Sequence, residues 1–132
     1  MPESKPPNSR PDPRRALGAF GEARAAEYLE AEGYRILARN ERAGGVELDL
    51  VVARGPLLAF VEVKTRRSLR YGRPEEAVDE AKQARLRRGA LSWMREHHRR
   101  GRMRFDVVAV LPGPGGDWIV HHLPGAFDGG GC

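Results

Sequence analysis

Apolar residues recur at helical spacing in two stretches of this chain and crowd into strand-like runs in five others. Leu17 to Glu32 is rich in Ala, Glu and Leu, lacks an interior Pro, and stops at Gly33, a favoured residue just past a helix end. It predicts a first helix. Tyr34 to Ala38 predicts a short strand, and Arg42 to Gly45 a turn. Val46 to Ala53 and Leu57 to Thr65 read as strands, with Arg54-Gly55-Pro56 supplying turn chemistry for a β-hairpin. Pro74 suits a first helical position, and Glu75 and Glu76 suit the positive end of a helix. A second long helix is expected over roughly Lys82 to Arg99, where Leu86, Ala90, Trp93 and Met94 share one face. Met103 to Leu111 is a strongly β-branched strand, Pro112 to Gly116 a loop, and Trp118 to Leu123 a last strand. The order helix, three strands, helix, two strands implies an α/β domain with a mixed sheet.

The ends differ from this middle. Residues 1–16 hold five prolines and no apolar run, so they read as a flexible basic arm and not as a secretory signal. Residues 125–132, with Gly129-Gly130-Gly131, are expected to be a loose tail. A folded unit over 17–124 remains. With 132 residues and 40% hydrophobic content, the chain suits one packed domain. No apolar run is long enough to cross a bilayer, so no membrane association is expected. The lone cysteine, Cys132, leaves no partner for an intrachain disulfide or a cysteine-rich zinc module, which makes a reducing, cytoplasmic setting the simplest expectation. The formal net charge is +5, and every basic residue except Lys5, Lys64 and Lys82 is Arg. Arg matches phosphate forks best, although GC-rich coding favours it too, so charge suggests an anionic partner without establishing one.

Candidate chemistry concentrates in the hairpin. Side chains alternate between the faces of a strand, so Glu47 and Asp49 share a face, as do Glu62 and Lys64. A loop of even length brings the two pairs to one side. If Arg54-Gly55 is a two-residue loop, Glu47 lies opposite Glu62, Asp49 lies opposite Phe60, and Asp49 and Glu62 become diagonal neighbours. Their flanks (Leu48, Leu50, Val52, Val61 and Val63) are those of interior strands. Carboxylates and an ammonium there are costly unless paired or bound to a cation. Hard carboxylate oxygens suit Mg²⁺ or Mn²⁺, which activate water and neutralise a phosphodiester. Lys64 could orient that water or stabilise developing charge. Ordinary cross-strand salt bridges of Glu47 or Glu62 with Lys64 are the structural alternative.

Asp49 followed by Glu62-Val63-Lys64 has the form of the PD-(D/E)XK nuclease motif. The chain resembles the YraN-like family of the restriction-endonuclease-like superfamily, over stretches that span almost the whole folded unit. They are Gly18-Ala19-Phe20-Gly21-Glu22, Ala25-Ala26-Glu27-Tyr28-Leu29 and Gly33-Tyr34-Arg35-Ile36-Leu37-Ala38-Arg39-Asn40. Then come Glu47-Leu48-Asp49-Leu50, Phe60 to Arg66, Lys82 with Arg85-Leu86, and Arg104 to Val108. Val46 stands where that family usually has Gly. The resemblance implies an αβββαβ core like that of archaeal Holliday-junction resolvases. It also implies Asp49 and Glu62 as metal ligands, Lys64 as catalytic lysine and Glu22 as an added acid from the first helix. Glu22 leans toward the buried side of its helix, and stabilising the helix dipole is its other reading. Glu47 is a candidate secondary ligand or a partner of Lys64 or Arg66. Lys82 is a candidate supporting residue or a phosphate-contacting lysine. Asp106, facing as Val108 and Val110 do, is expected to be a satisfied structural carboxylate.

Thr65-Arg66-Arg67, with Arg70 and Arg73, follows Lys64 directly and would rim the active face against flanking phosphates. Arg85, Arg88, Arg95 and Arg99 are expected on an exposed helix face. The Gly18 to Gly21 stretch lacks the Lys-Ser/Thr of a P-loop, and the adjacent pairs His97-His98 and His121-His122 do not have chelating spacing. The leading expectation is a metal-dependent endonuclease acting on DNA, duplex, branched or damaged. The alternatives are a non-catalytic nucleic-acid-binding adaptor with the same fold and an interaction domain whose carboxylates only form salt bridges. A homodimer would let so small a domain surround a duplex, although no feature of the sequence fixes one.

Overall fold

The computed structural model describes residues 12–68 and 78–127. In chain order these form α1 (Pro13–Ala31), β1 (Arg35–Ala43), β2 (Val46–Arg54), β3 (Leu57–Thr65), α2 (Glu80–Glu96), β4 (Met103–Pro112) and β5 (Trp118–Phe127). One five-stranded sheet holds the strands in the order β1-β2-β3-β4-β5. Neighbours are antiparallel except β3 and β4, which run parallel with α2 as their connection. This is a mixed open sheet flanked by helices, the restriction-endonuclease-like arrangement expected from the sequence.

Several boundaries move, for local reasons. α1 begins at Pro13 and not at Leu17, because Asp12 accepts the Arg14 N–H at 3.0 Å and Pro13 fills the first turn. Pro13 to Ala16, expected in the flexible arm, are therefore helical. β1 reaches Ala43, and the following turn narrows to Gly44-Gly45, whose φ values of +59° and +76° suit a two-residue hairpin loop. α2 starts at Glu80, where Asp79 accepts the Lys82 N–H at 2.9 Å, and stops at Glu96 instead of Arg99. β5 continues to Phe127, whose ring stacks on Phe105 at 4.9 Å, so Gly125 to Phe127 are strand and not tail. Pro74, Glu75 and Glu76 lie outside the described residues, as do residues 1–11 and 128–132 with Cys132.

Each face of the sheet buries an apolar layer. α1 lies over one face, where Ala25, Ala26 and Leu29 meet Leu50, Val52, Val61 and Val108. α2 lies over the other, where Leu86, Ala90 and Trp93 meet Leu48, Val51, Phe60 and Phe105. Burying each of the larger side chains contributes about 1.5–3 kcal/mol, which is why β2, β3 and β4 are apolar on both faces.

Asp106 is fully buried beneath α1 and is satisfied there. Arg104 grips both its oxygens at 2.8 Å, His122 Nε2 lies at 2.8 Å, and the Gly125 N–H donates at 3.0 Å. Burial alone would raise the Asp106 pKa, but hydrogen bonds from His122 and Arg104 outweigh it and bring it to about 2. Tyr34 Oη joins the same network through Arg104 at 2.7 Å. The carboxylate is structural, as its position on β4 suggested.

Candidate active site

The hairpin loop is two residues long, as the parity argument requires, but it is Gly55-Pro56 and not Arg54-Gly55. Arg54 pairs with Leu57, Val51 with Phe60, and Leu50 with Val61. Pro56 has no N–H to give a ladder, so it moves into the loop, and Gly55 takes the positive φ of +59° that begins such a turn. The expected pairings Glu47–Glu62 and Asp49–Phe60 are thereby replaced. Extending the observed register sets Asp49 directly across from Glu62. The β2–β3 ladder stops one step earlier, at Leu50–Val61. There the Asp49 carboxylate takes over and accepts the Val63 N–H at 2.9 Å.

The alternation of β2 also breaks at Asp49. Leu50 and Val52 belong to the α1 side, yet Leu48, of the same parity, packs on the α2 side with Val51 and Ala53. On β1 the residue across from this break is Asn40, held in the left-handed region with φ +49°. Asn tolerates that conformation far better than a β-branched residue does. Asp49 thus sits at a crossover between the faces, within electrostatic reach of Glu22 on α1 and Lys82 on α2. Asn40→Val is expected to lower unfolding stability by about 1–2 kcal/mol, whereas Asn40→Gly leaves it nearly unchanged. Urea unfolding of the two variants measures this.

Glu62 is only 7% exposed and carries two ammonium groups on one oxygen. Lys64 lies at 3.1 Å and Lys82, from the capped first turn of α2, at 2.7 Å. Burial pushes the Lys64 pKa down, and the neighbouring Lys82 adds to this against the pull of Glu62. Burial also works against charge on Lys82, but its contact with Glu62 outweighs this and raises its pKa. Asp49 receives neither ammonium directly. Burial, then the Glu62 charge, raise it from 3.8 to about 7, with the Val63 N–H pulling the other way.

Asp49, Glu62 and Lys82 line a cleft of about 250 Å³ together with Glu47, Arg42, Arg85 and Leu86. Asp49, Glu62 and Lys82 therefore converge, Lys64 joins them through Glu62, and Glu22 acts on Asp49 through its charge. Glu47 lies at the exposed mouth, and among the described residues it pairs with neither Lys64 nor Arg66. The expected salt bridge of Glu62 with Lys64 is present, so the structural and the chemical interpretations share this contact. Arg66 is half-buried and ties its N–H to Val110, while Arg67 is exposed. Arg70 and Arg73 lie outside the described residues. Val46 is buried where a Cβ on Gly89 of α2 would lie 3.0 Å away, so the larger residue fills space left by a glycine of the facing helix.

Arg85 is exposed, as expected, and it also stands one turn beyond Lys82 and lines the same cleft. Arg42 escaped notice as a turn residue, although its place across from Glu47 on β1 points to the cleft mouth. His97 stacks on Trp93 at 4.0 Å and His122 serves Asp106, so neither joins the site.

The residues at hand suit a small hard cation. Among the described residues no group of three or more His, Cys, Asp or Glu side chains is placed to hold an ion. Mg²⁺, however, commonly takes only one or two carboxylates and fills its remaining positions with water and phosphate oxygens. Asp49 and Glu62 are such a pair, and the charge that burial and Glu62 make costly on Asp49 is what a cation would neutralise.

The model of the uncharacterised protein family UPF0102 matches residues 21–110, a span that holds every element of the cleft. A UPF0102 protein of Symbiobacterium thermophilum is 53% identical over 114 residues, covering 86% of this chain and 97% of that protein. One from Trichlorobacter lovleyi is 49% identical over 115 residues, covering 86% and 91%. One from Pelobacter propionicus is 45% identical over 130 residues, covering 96% and 91%.

Proposed function

The chain belongs to the uncharacterised protein family UPF0102, the YraN-like family placed in the PD-(D/E)XK restriction-endonuclease-like superfamily, and from that premise we propose that it is a metal-dependent endonuclease acting on DNA. The observation that carries this is the meeting of Asp49 and Glu62 in one cleft with the cations Lys82, Arg85 and Arg42, while Lys64 grips Glu62 beside it. A wholly basic groove would serve binding alone. Paired carboxylates inside a basic surround repel phosphate unless a cation lies between.

In this proposal Asp49 and Glu62 hold Mg²⁺ or Mn²⁺. When bound, the cation supplies Lewis-acid activation of water and neutralises charge on the phosphodiester. The chain's own groups do the rest. The Val63 N–H orients Asp49, and Lys82 holds Glu62. Lys64, beside Glu62 with a lowered pKa, positions the attacking water and donates to developing negative charge. Arg42, Arg85, Arg66 and Arg67 are the phosphate-contacting residues, and such contacts make binding fall steeply with salt.

The adaptor alternative draws support from Glu62, whose oxygen already serves two lysines. A cleavage panel separates the two. Duplex, single-stranded, flap and four-way-junction DNA are incubated with Mg²⁺ or Mn²⁺ and wild type, Asp49→Ala, Glu62→Ala or Lys64→Ala. Cleavage by wild type that is absent from all three variants supports the nuclease. Cleavage that persists in all three places the chemistry elsewhere. DNA binding without metal-dependent cleavage supports the adaptor.

A further inference from the structure

A second feature lies at the same end of the sheet and is not used by the chemistry above. Phe20 of α1 and Trp118 at the start of β5 meet edge to face, with ring centroids 5.2 Å apart. They line an open pocket of about 400 Å³ with Pro13, Ala16, Leu17 and Arg67. Phe20 is 36% exposed, an unusual position for a Phe beside a second aromatic ring. The Arg24 guanidinium lies 5.9 Å from the Phe20 centroid. The pocket is thus aromatic and apolar, with Arg67 in its lining and Arg24 over the Phe20 ring.

Its position ties it to the cleft. Gly21 of α1 packs so closely on Thr65, the residue after Lys64, that a Cβ there would lie 2.8 Å from Thr65 Cβ. Phe20 and Glu22 flank this contact. Glu22 acts on Asp49, while Phe20 reaches Trp118 and Arg67. One turn of α1 therefore serves both places.

We propose that Phe20 and Trp118 form a stacking platform for an unpaired nucleobase, so that the substrate presents a single-stranded segment beside the scissile bond. This rests on the proposed function for the polymer being nucleic acid. Because the two rings meet at 62°, a base can lay its flat π face on one and its edge against the other, and its flanking phosphates are complementary to Arg67 and Arg24. A base stacked in a duplex would have neither face free.

The test is a binding measurement on the full chain in EDTA, where cleavage does not occur. The probes are a labelled dT16 strand and an abasic strand with the same number of phosphates. Wild type is expected to bind dT16 roughly tenfold more tightly. Trp118→Leu and Phe20→Leu should lose that preference while binding the abasic strand as wild type does, and Trp118→Phe should retain most of it. Of the two tryptophans, Trp93 is buried, so dT16 should quench Trp118 fluorescence and leave the signal of Trp118→Leu unchanged. Equal binding of both strands by wild type, as when the chain's own residues fill the pocket, overturns the platform and leaves the nuclease proposal standing. Binding of neither strand overturns the platform, and the cleavage panel, run with the metal that screens the carboxylates, then decides the nucleic-acid premise. A failed cleavage panel with preserved dT16 preference removes the nuclease alone.

Discussion

Asp49→Asn is expected to stabilise the metal-free protein at pH 8 by up to about 4 kcal/mol, a gain of up to about 15 °C in Tm. The sign follows from the direction of the pKa shift. Asp49 is raised from 3.8 to about 7 by burial and by Glu62, so the folded state holds its proton more tightly than the unfolded chain. Its contribution to stability is fully present below pH 3.8 and is lost as pH rises through about 7. Asn keeps an acceptor for the Val63 N–H and removes the charge facing Glu62. The advantage of the variant should therefore be largest above pH 7 and shrink as pH falls toward 4. Thermal unfolding in EDTA across that range measures it. A gap that grows on acidification would mean that Asp49 is stabilised as an anion by a group not identified above. A site that costs the empty protein stability and is relieved by a ligand is the trade-off common at functional centres.

Gly21→Ala is expected to cost about 1–3 kcal/mol, because the new Cβ overlaps Thr65 Oγ1 and lies 2.8 Å from Thr65 Cβ. Rotating Thr65 relieves the first overlap and not the second, so α1 must shift from the end of β3. That shift carries Glu22 away from Asp49 and Phe20 away from Trp118, so activity should fall along with Tm. Thr65→Gly should cost less in the Gly21→Ala background than in wild type, a coupling that a double-mutant cycle reads directly. Additive effects would show that the two residues do not meet as described.

Local chemistry made most of the fold legible. Gly33, the apolar runs and the turn residues located every element, and the parity of a two-residue loop placed Asp49, Glu62 and Lys64 together. What local chemistry left open was decided by contacts between distant residues. The register turned on Pro56, which cannot pair and so moved the loop by one step. The crossover at Asp49 depends on Asn40, a residue of another strand in a left-handed conformation that no alternation rule reveals. Arg85 is exposed as its helical spacing implies, but its place beside the cleft is evident only once Lys82, one turn earlier, is seen to touch Glu62. Phe20 and Trp118 stand at opposite ends of the fold in sequence and meet only because α1 lies across the sheet beside β5.

In the proposed site Asp49 and Glu62 hold a divalent cation. Calorimetric titration of Mn²⁺ into the wild-type protein near pH 7, with Asp49→Asn and Glu62→Gln titrated beside it, shows whether they do. Binding is expected for wild type with release of protons, since part of Asp49 is protonated at that pH, and is expected to vanish in both variants. No binding to wild type, or binding unchanged in Asp49→Asn, would contradict the claim.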